Sequence, residues 1–186
     1  EHASVYDTAS FLESEGFEVV FLKPGPDGGI SPADIAAAVT PDTILVSMML
    51  VNNETGVILP VKAAAAAIKR SGAPALLHCD AVQAFGKLPV KPKSLGADLV
   101  TVSSHKIHGP KGCGALYIRK GARIIPQVHG GEQEMGIRPG TEAAPLIAGF
   151  GAAVDAIGDL KAHETHVGTL KAHLLAGLEA LPDIVV

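Results

Sequence analysis

Cysteine is scarce: Cys79 and Cys113 are the only two in 186 residues. Two thiols cannot build the disulfide framework of a small secreted domain, so the expectation is a reducing, cytoplasmic compartment. Tryptophan is absent and aromatic residues reach only 4%. With a formal net charge of −4 as well, the chain lacks the basic, aromatic-rich surface that grips nucleic acid, and no nucleic-acid partner is expected. No run of about eighteen apolar residues occurs, so no membrane-spanning helix and no membrane partner is expected. "EHASVYD" has neither the basic start nor the apolar stretch of a secretory signal. The first residue is not methionine, which reads as residues missing upstream.

What is present is apolar. Hydrophobic residues make up 47% of the chain, and the length suffices for one domain with a well-buried core. The spacing of residues 4–15 predicts a helix ending at Gly16, followed by a strand at Phe17–Lys23 ("FEVVFLK"). Ser31-Pro32 supplies an N-cap and a proline at N1 for the next helix. "TILVSMML" (Thr43–Leu50) is a continuous apolar strand of the kind covered on both faces. "VKAAAAAIKRSG" (Val61–Gly72) reads as a helix stopped by glycine, its alanine run serving as good helix former. Further strands are expected at Ala75–Asp80, Ala97–Ser104 and Gly114–Lys120. A long helical tail starts at "TEAAPLIAGFG", and "LPDIVV" at the end looks like a strand beginning. The alternation predicts an α/β fold with a mostly parallel sheet flanked by helices. Residues 1–160 form its core, and 161–186 a helix and strand start leading toward a further, missing domain.

In open α/β sheets, ligands sit beyond the carboxyl ends of the strands, and here the polar residues collect at those ends. "MMLVNNETG" places Asn52, Asn53 and Glu54 after one strand. "LLHCDAVQAFG" places Asp80 at the end of the next, with Gln83 three residues on. "VSSHK" places Ser103, His105 and Lys106 after a third. A lysine there is costly unless its amine is paired or used. Pyridoxal phosphate wants such a set: its aldehyde needs a lysine, its ring nitrogen a carboxylate, and its phosphate hydroxyl or imidazole donors.

These stretches, together with "HCDAVQAFGKLPV", "SSHKIHGPKGCGALYIR" and "HGGEQEMGIRPGTEAAPLIAGFG", resemble the core of the cysteine desulfurases. Those are class V, fold-type I pyridoxal-phosphate enzymes, and the resemblance runs through nearly the whole chain. It implies pyridoxal 5'-phosphate as cofactor and Lys106 as the Schiff-base lysine. By the same resemblance, Asp80 pairs with the ring nitrogen, Gln83 bonds the phenolic oxygen, and Ser103 and His105 bind phosphate. His2 in "EHASV" stacks on the ring and shuttles protons. Asn53 lies near the ring oxygen and substrate carboxylate, and Thr141 in "RPGTE" reaches the phosphate of a second subunit. The implied assembly is a homodimer.

The implied reaction removes sulfur from L-cysteine, leaving alanine and a persulfide on an enzyme cysteine, from which a sulfur-acceptor protein is served. The family's nucleophilic cysteine lies on a loop beyond the point where this chain stops, and its upstream phosphate turn has no counterpart here. The resemblance therefore implies a central fragment, inactive alone for the full reaction. The alternatives are a selenocysteine lyase, another class V enzyme, or a non-catalytic cofactor-binding fragment.

Other features read more plainly. Alternation turns Cys79 away from Asp80 into the core, and Cys113 is assigned a structural place. "GPKGCG" lacks the Gly-Lys-Ser/Thr ending of a nucleotide loop and precedes a strand, so it reads as a tight turn. "HETH" (His163–His166), with His173, lacks metal-ligand spacing and reads as a solvated helix face. His78 reads as a packed histidine. His108 and His129 receive no role.

Overall fold

The computed structural model describes residues 1–185. Its centre is a four-stranded sheet in the order β1-β2-β3-β4, formed by Leu45–Met49, Leu76–Asp80, Leu99–Ser103 and Gly114–Ile118. The first three strands run parallel and β4 returns antiparallel to β3. The expected mostly parallel α/β architecture is therefore present. Each strand is a residue or more shorter than the sequence predicts, because the ladder ends where pairing partners end.

The helices are α1 (Ala3–Ser14), α2 (Pro32–Ala38), α3 (Val61–Ser71), α4 (Pro92–Leu95), α5 (Ala144–Asp155) and α6 (Leu160–Glu179). Ser31 caps α2 as predicted, its hydroxyl accepting the amide of Ala33 at 3.1 Å. Gly72 ends α3 in the left-handed region, at φ 72°, where a residue with a Cβ is strained.

The core lies on one face of the sheet. There α3 packs against β1 and β2, with α2 and α4 beside it. Val61, Ala64 and Ala67 form the buried stripe of α3, and they meet Met48, Leu77, Cys79 and Val100 from the strands and Ile35 from α2. The alanines thus do more than favour helix: their small side chains let helix and sheet approach closely.

Four expectations need correction. Residues 17–23 make no strand; they run beside the fold without ladder partners, leaving Phe17 and Val20 at least half exposed. An apolar run becomes a strand only where a neighbour supplies hydrogen bonds. β1 is not sheathed on both faces along its length, since Leu45 stays 49% exposed while Met48 and Met49 are buried. The tail is two helices, broken between Asp155 and Leu160, where Asp159 accepts the amides of Lys161 and Ala162 as the cap of α6. Residues 181–185 form a turn and an irregular end, not a strand; Val186, the last residue of that expectation, lies outside the described residues.

Candidate active site

The parallel register sets the carboxyl ends of β1 and β2 level, with β3 running on to Ser103 beside them. Met49 is the register partner of Asp80, and Asp80 that of Thr101. The main chain is locked just beyond: Leu50 N–H donates to Asp80 O at 2.8 Å and Ala81 N–H to Thr101 O at 3.0 Å. Asp80 and the segments after β1 and β3 therefore share one edge, as the sequence predicts.

Asp80 is 6% exposed. Its Oδ1 accepts the amide of Val82 at 2.9 Å, a contact that closes the turn leading to Gln83. This turn continues through Phe85 N–H to Ala81 O at 2.8 Å and Leu88 N–H to Ala84 O at 2.8 Å. Gln83 is half-buried, and its Oε1 accepts from Lys87 Nζ at 3.4 Å.

β3 runs directly into a 3-10 turn, Ser104–Ile107, that carries His105 and Lys106. Ser103 Oγ lies 2.7 Å from His105 Nδ1, so hydroxyl and imidazole form one polar pair beside the lysine. Lys106 is half-buried between two buried residues, Ser104 and Ile107. Its amine has no hydrogen-bond or ion-pair partner among the described residues. The glycine loop is a tight return, as expected: Ser104 N–H donates to Cys113 O at 3.1 Å and Gly109 N–H to Ser104 O at 3.0 Å.

Asn52 and Asn53 divide their labour. Asn52 Oδ1 accepts from Glu54 N–H at 3.0 Å, Thr55 N–H at 2.9 Å and Thr55 Oγ1 at 3.1 Å. That network fixes the turn and leaves Asn53 exposed upon it. His2 is the N-cap of α1, its Nδ1 accepting from Ser4 N–H at 3.1 Å, and its ring is open to solvent. Thr141 stands apart on an exposed loop, lining a shallow depression with His129, Gln133 and Pro139. No hydrogen bond among the described residues ties it to the strand ends.

Two participants carry no signal in the sequence. Glu1 Oε1 accepts the amide of Met49 at 2.9 Å, which brings "EH" to the end of β1. The residue as a whole is open, but its carboxylate is drawn against the strand. Loss of water there raises its pKa above the ordinary carboxylate value, and the charge of Asp80 adds to that rise; the amino terminus and the Met49 amide oppose it. Ser104 is the second, wholly buried with no partner for its hydroxyl among the described residues. Cys79 is fully buried, and burial followed by the charges of Asp80 and Glu1 pushes its thiol up to about 12. Neither that thiol nor half-buried Cys113 is set up as a nucleophile by the geometry. His163, His166 and His173 lie exposed along α6.

The model of the aminotransferase class-V family matches residues 1–186, the entire chain. The chain belongs to the class-V aminotransferase family. Within it, the chain is 43% identical over 187 residues to "Cysteine desulfurase IscS" of Anaeromyxobacter sp. (strain K), covering 99% of this chain and 46% of that protein. It is 42% identical to "Cysteine desulfurase, mitochondrial" of Candida albicans, over 98% of this chain and 38% of the relative. Among solved structures, a "NIFS-LIKE PROTEIN" superposes with a TM-score of 0.94 at 39% identity, over 98% of this chain and 50% of that one. The chain thus spans about half the length, or less, of the relatives it matches. In this family member, the strand-end acid and the lysine turn lie at one edge of the sheet.

Proposed function

We propose that this chain is the cofactor-binding part of a cysteine desulfurase that holds pyridoxal 5'-phosphate at the carboxyl ends of β1–β3. The observation that carries this reading is that a buried carboxylate, Asp80, ends β2 while Lys106 stands on the turn directly after the neighbouring parallel strand β3. The donor set fits the group. Asp80 has one main-chain donor on Oδ1, leaving its other oxygen to hold a proton on the ring nitrogen. The Ser103–His105 pair offers a hydroxyl and an imidazole to a phosphate, Gln83 an amide to the phenolic oxygen, and Lys106 the amine. His2 is assigned to stack on the ring and shuttle protons, Asn53 to lie near the ring oxygen and the substrate carboxylate, and Thr141 to reach the cofactor of a second copy in a homodimer. When bound, the cofactor supplies an electron sink that acidifies the substrate's Cα–H. Lys106 is the group that takes up and returns that proton. Burial of Asp80 keeps water from competing for its charge.

The substrate under this reading is L-cysteine, supported by the names of the relatives, and a sulfur-acceptor protein receives the product sulfur. The two cysteines of this chain do not fill the nucleophile's place, so that thiol belongs to another part of the protein. Visible-light titration of the chain with pyridoxal phosphate tests the cofactor reading. Saturable binding that Asp80→Ala weakens at least about tenfold, the loss of a buried charge contact, supports it. Binding unaffected by Asp80→Ala contradicts it. L-cysteine should then perturb the bound spectrum.

A further inference from the structure

We propose that Ile107, seated on Gly86, is the positioning contact that fixes Lys106 relative to Asp80 and Gln83; this rests on the reading above. Gly86 belongs to the turn that runs on from Asp80 and Gln83, with φ 76°. A Cβ placed on it would lie 2.6 Å from Ile107 Cγ2 and 3.4 Å from Ile157 Cδ1. Real carbons do not approach that closely, so the missing side chain is the space that the Ile107 methyl group uses. Ile107 is 7% exposed and directly follows Lys106.

The contact therefore joins, beyond the ends of the β2–β3 ladder, the two turns that the paired strands bring to one edge. The acid turn is stiff: Ala81 and Ala84 are fully buried, and its amides bond back within the turn and to Thr101 O. The lysine turn is pinned at its other end. A Cβ on Gly109 would overlap Ser104 Oγ and come within 3.1 Å of Ala153 on α5. Gly149, four residues earlier on α5, faces Pro110 in the same way, at 3.1 Å. Lys106 thus sits on a short segment held by glycine contacts from both sides, and the Gly86–Ile107 contact adds a side-chain link to the acid turn beyond the β2–β3 ladder. Groups that act on one cofactor need placement to a fraction of an ångström, and a displacement of about 1 Å costs on the order of a hundredfold.

The test compares Gly86→Ala with Gly72→Ala. Gly72 has nearly the same backbone angle, φ 72°, but no atom within 4 Å of an added Cβ. Gly72→Ala therefore reports backbone strain without a clash. Ile107→Leu adds a variant of conserved volume that moves the branching methyl off the Gly86 contact. Amide 1H–15N shifts across 103–109 are read without cofactor, and pyridoxal phosphate affinity with it. Gly86→Ala and Ile107→Leu should shift the Lys106 amide and weaken the cofactor about tenfold or more, while Gly72→Ala changes neither. Shifts confined to residues 84–88, or equal losses in Gly72→Ala, overturn the proposal. If Gly86→Ala does not fold, Ile107→Leu decides by the same two readouts. Should wild-type protein not bind pyridoxal phosphate, the functional reading fails, and the shifts at Lys106 alone decide the positioning contact.

Discussion

The ring of His78 bridges Ser47 and Thr101: Nδ1 lies 2.8 Å from Ser47 Oγ and Nε2 3.2 Å from Thr101 Oγ1. One imidazole thus ties β1, β2 and β3 together on the face of the sheet that also carries Asp80, two residues further on. Both ring nitrogens are engaged with hydroxyls, an arrangement that suits a neutral ring with one donor and one acceptor.

Burial lowers the pKa of His78 below 6.5, with the charge of Asp80 opposing the shift. Below the unfolded value the unfolded chain binds a proton that the folded chain refuses, so stability falls as pH drops from about 6.5 toward the folded pKa. Urea unfolding of wild-type protein should lose more stability between pH 7 and pH 5 than His78→Gln does over the same interval. Equal losses would show that His78 is not a source of the acid sensitivity.

Thiol labelling separates the two cysteines. At pH 8 the folded chain should react at Cys113 alone, because Cys79 is buried and its thiol is pushed up to about 12. Denaturant should bring the count to two per chain. Rapid labelling of Cys79 in the folded protein would place β2 outside the core.

Asn52 and its neighbour should behave oppositely. Asn52→Ala removes an acceptor shared by three donors and should cost about 1–2 kcal/mol. Asn53→Ala should stay within about 0.5 kcal/mol, as expected of an exposed turn residue, and act only on ligand binding. Chemical denaturation with a cofactor titration distinguishes the two.

Asp98 is worth more than its ion pair. Its Oδ2 accepts the amide of Leu77 at 2.8 Å at the edge of β2, and its Oδ1 meets the half-exposed Arg119. Asp98→Ala should cost about 1–3 kcal/mol by stranding that amide. Arg119→Ala should cost under about 1 kcal/mol, because the guanidinium side of the pair is about half open to water. Comparable costs would mean that the ion pair carries the effect.

The strand ends were legible because their signal is local: apolar β-runs stop at Asn52, Asp80 and Ser103, and the sheet is built from those runs. Cys79 and Asp80 fall on opposite faces by alternation alone. "FEVVFLK" misleads because its pattern is that of a strand while the deciding fact, a neighbour to pair with, lies elsewhere in the chain. The same holds for Glu1, whose carboxylate reaches an amide 48 residues away, and for Gly86, which reads as an ordinary turn glycine until Ile107 is found against it. Contacts between distant segments leave no periodicity to read.

The central claim is that Lys106 is the amine that takes pyridoxal phosphate. Borohydride reduction of the chain equilibrated with the cofactor, followed by peptide mapping, tests it most directly. The account predicts one labelled lysine, Lys106, at stoichiometric occupancy, with the label lost in Lys106→Ala. Label spread over surface lysines, or undiminished in Lys106→Ala, would contradict it.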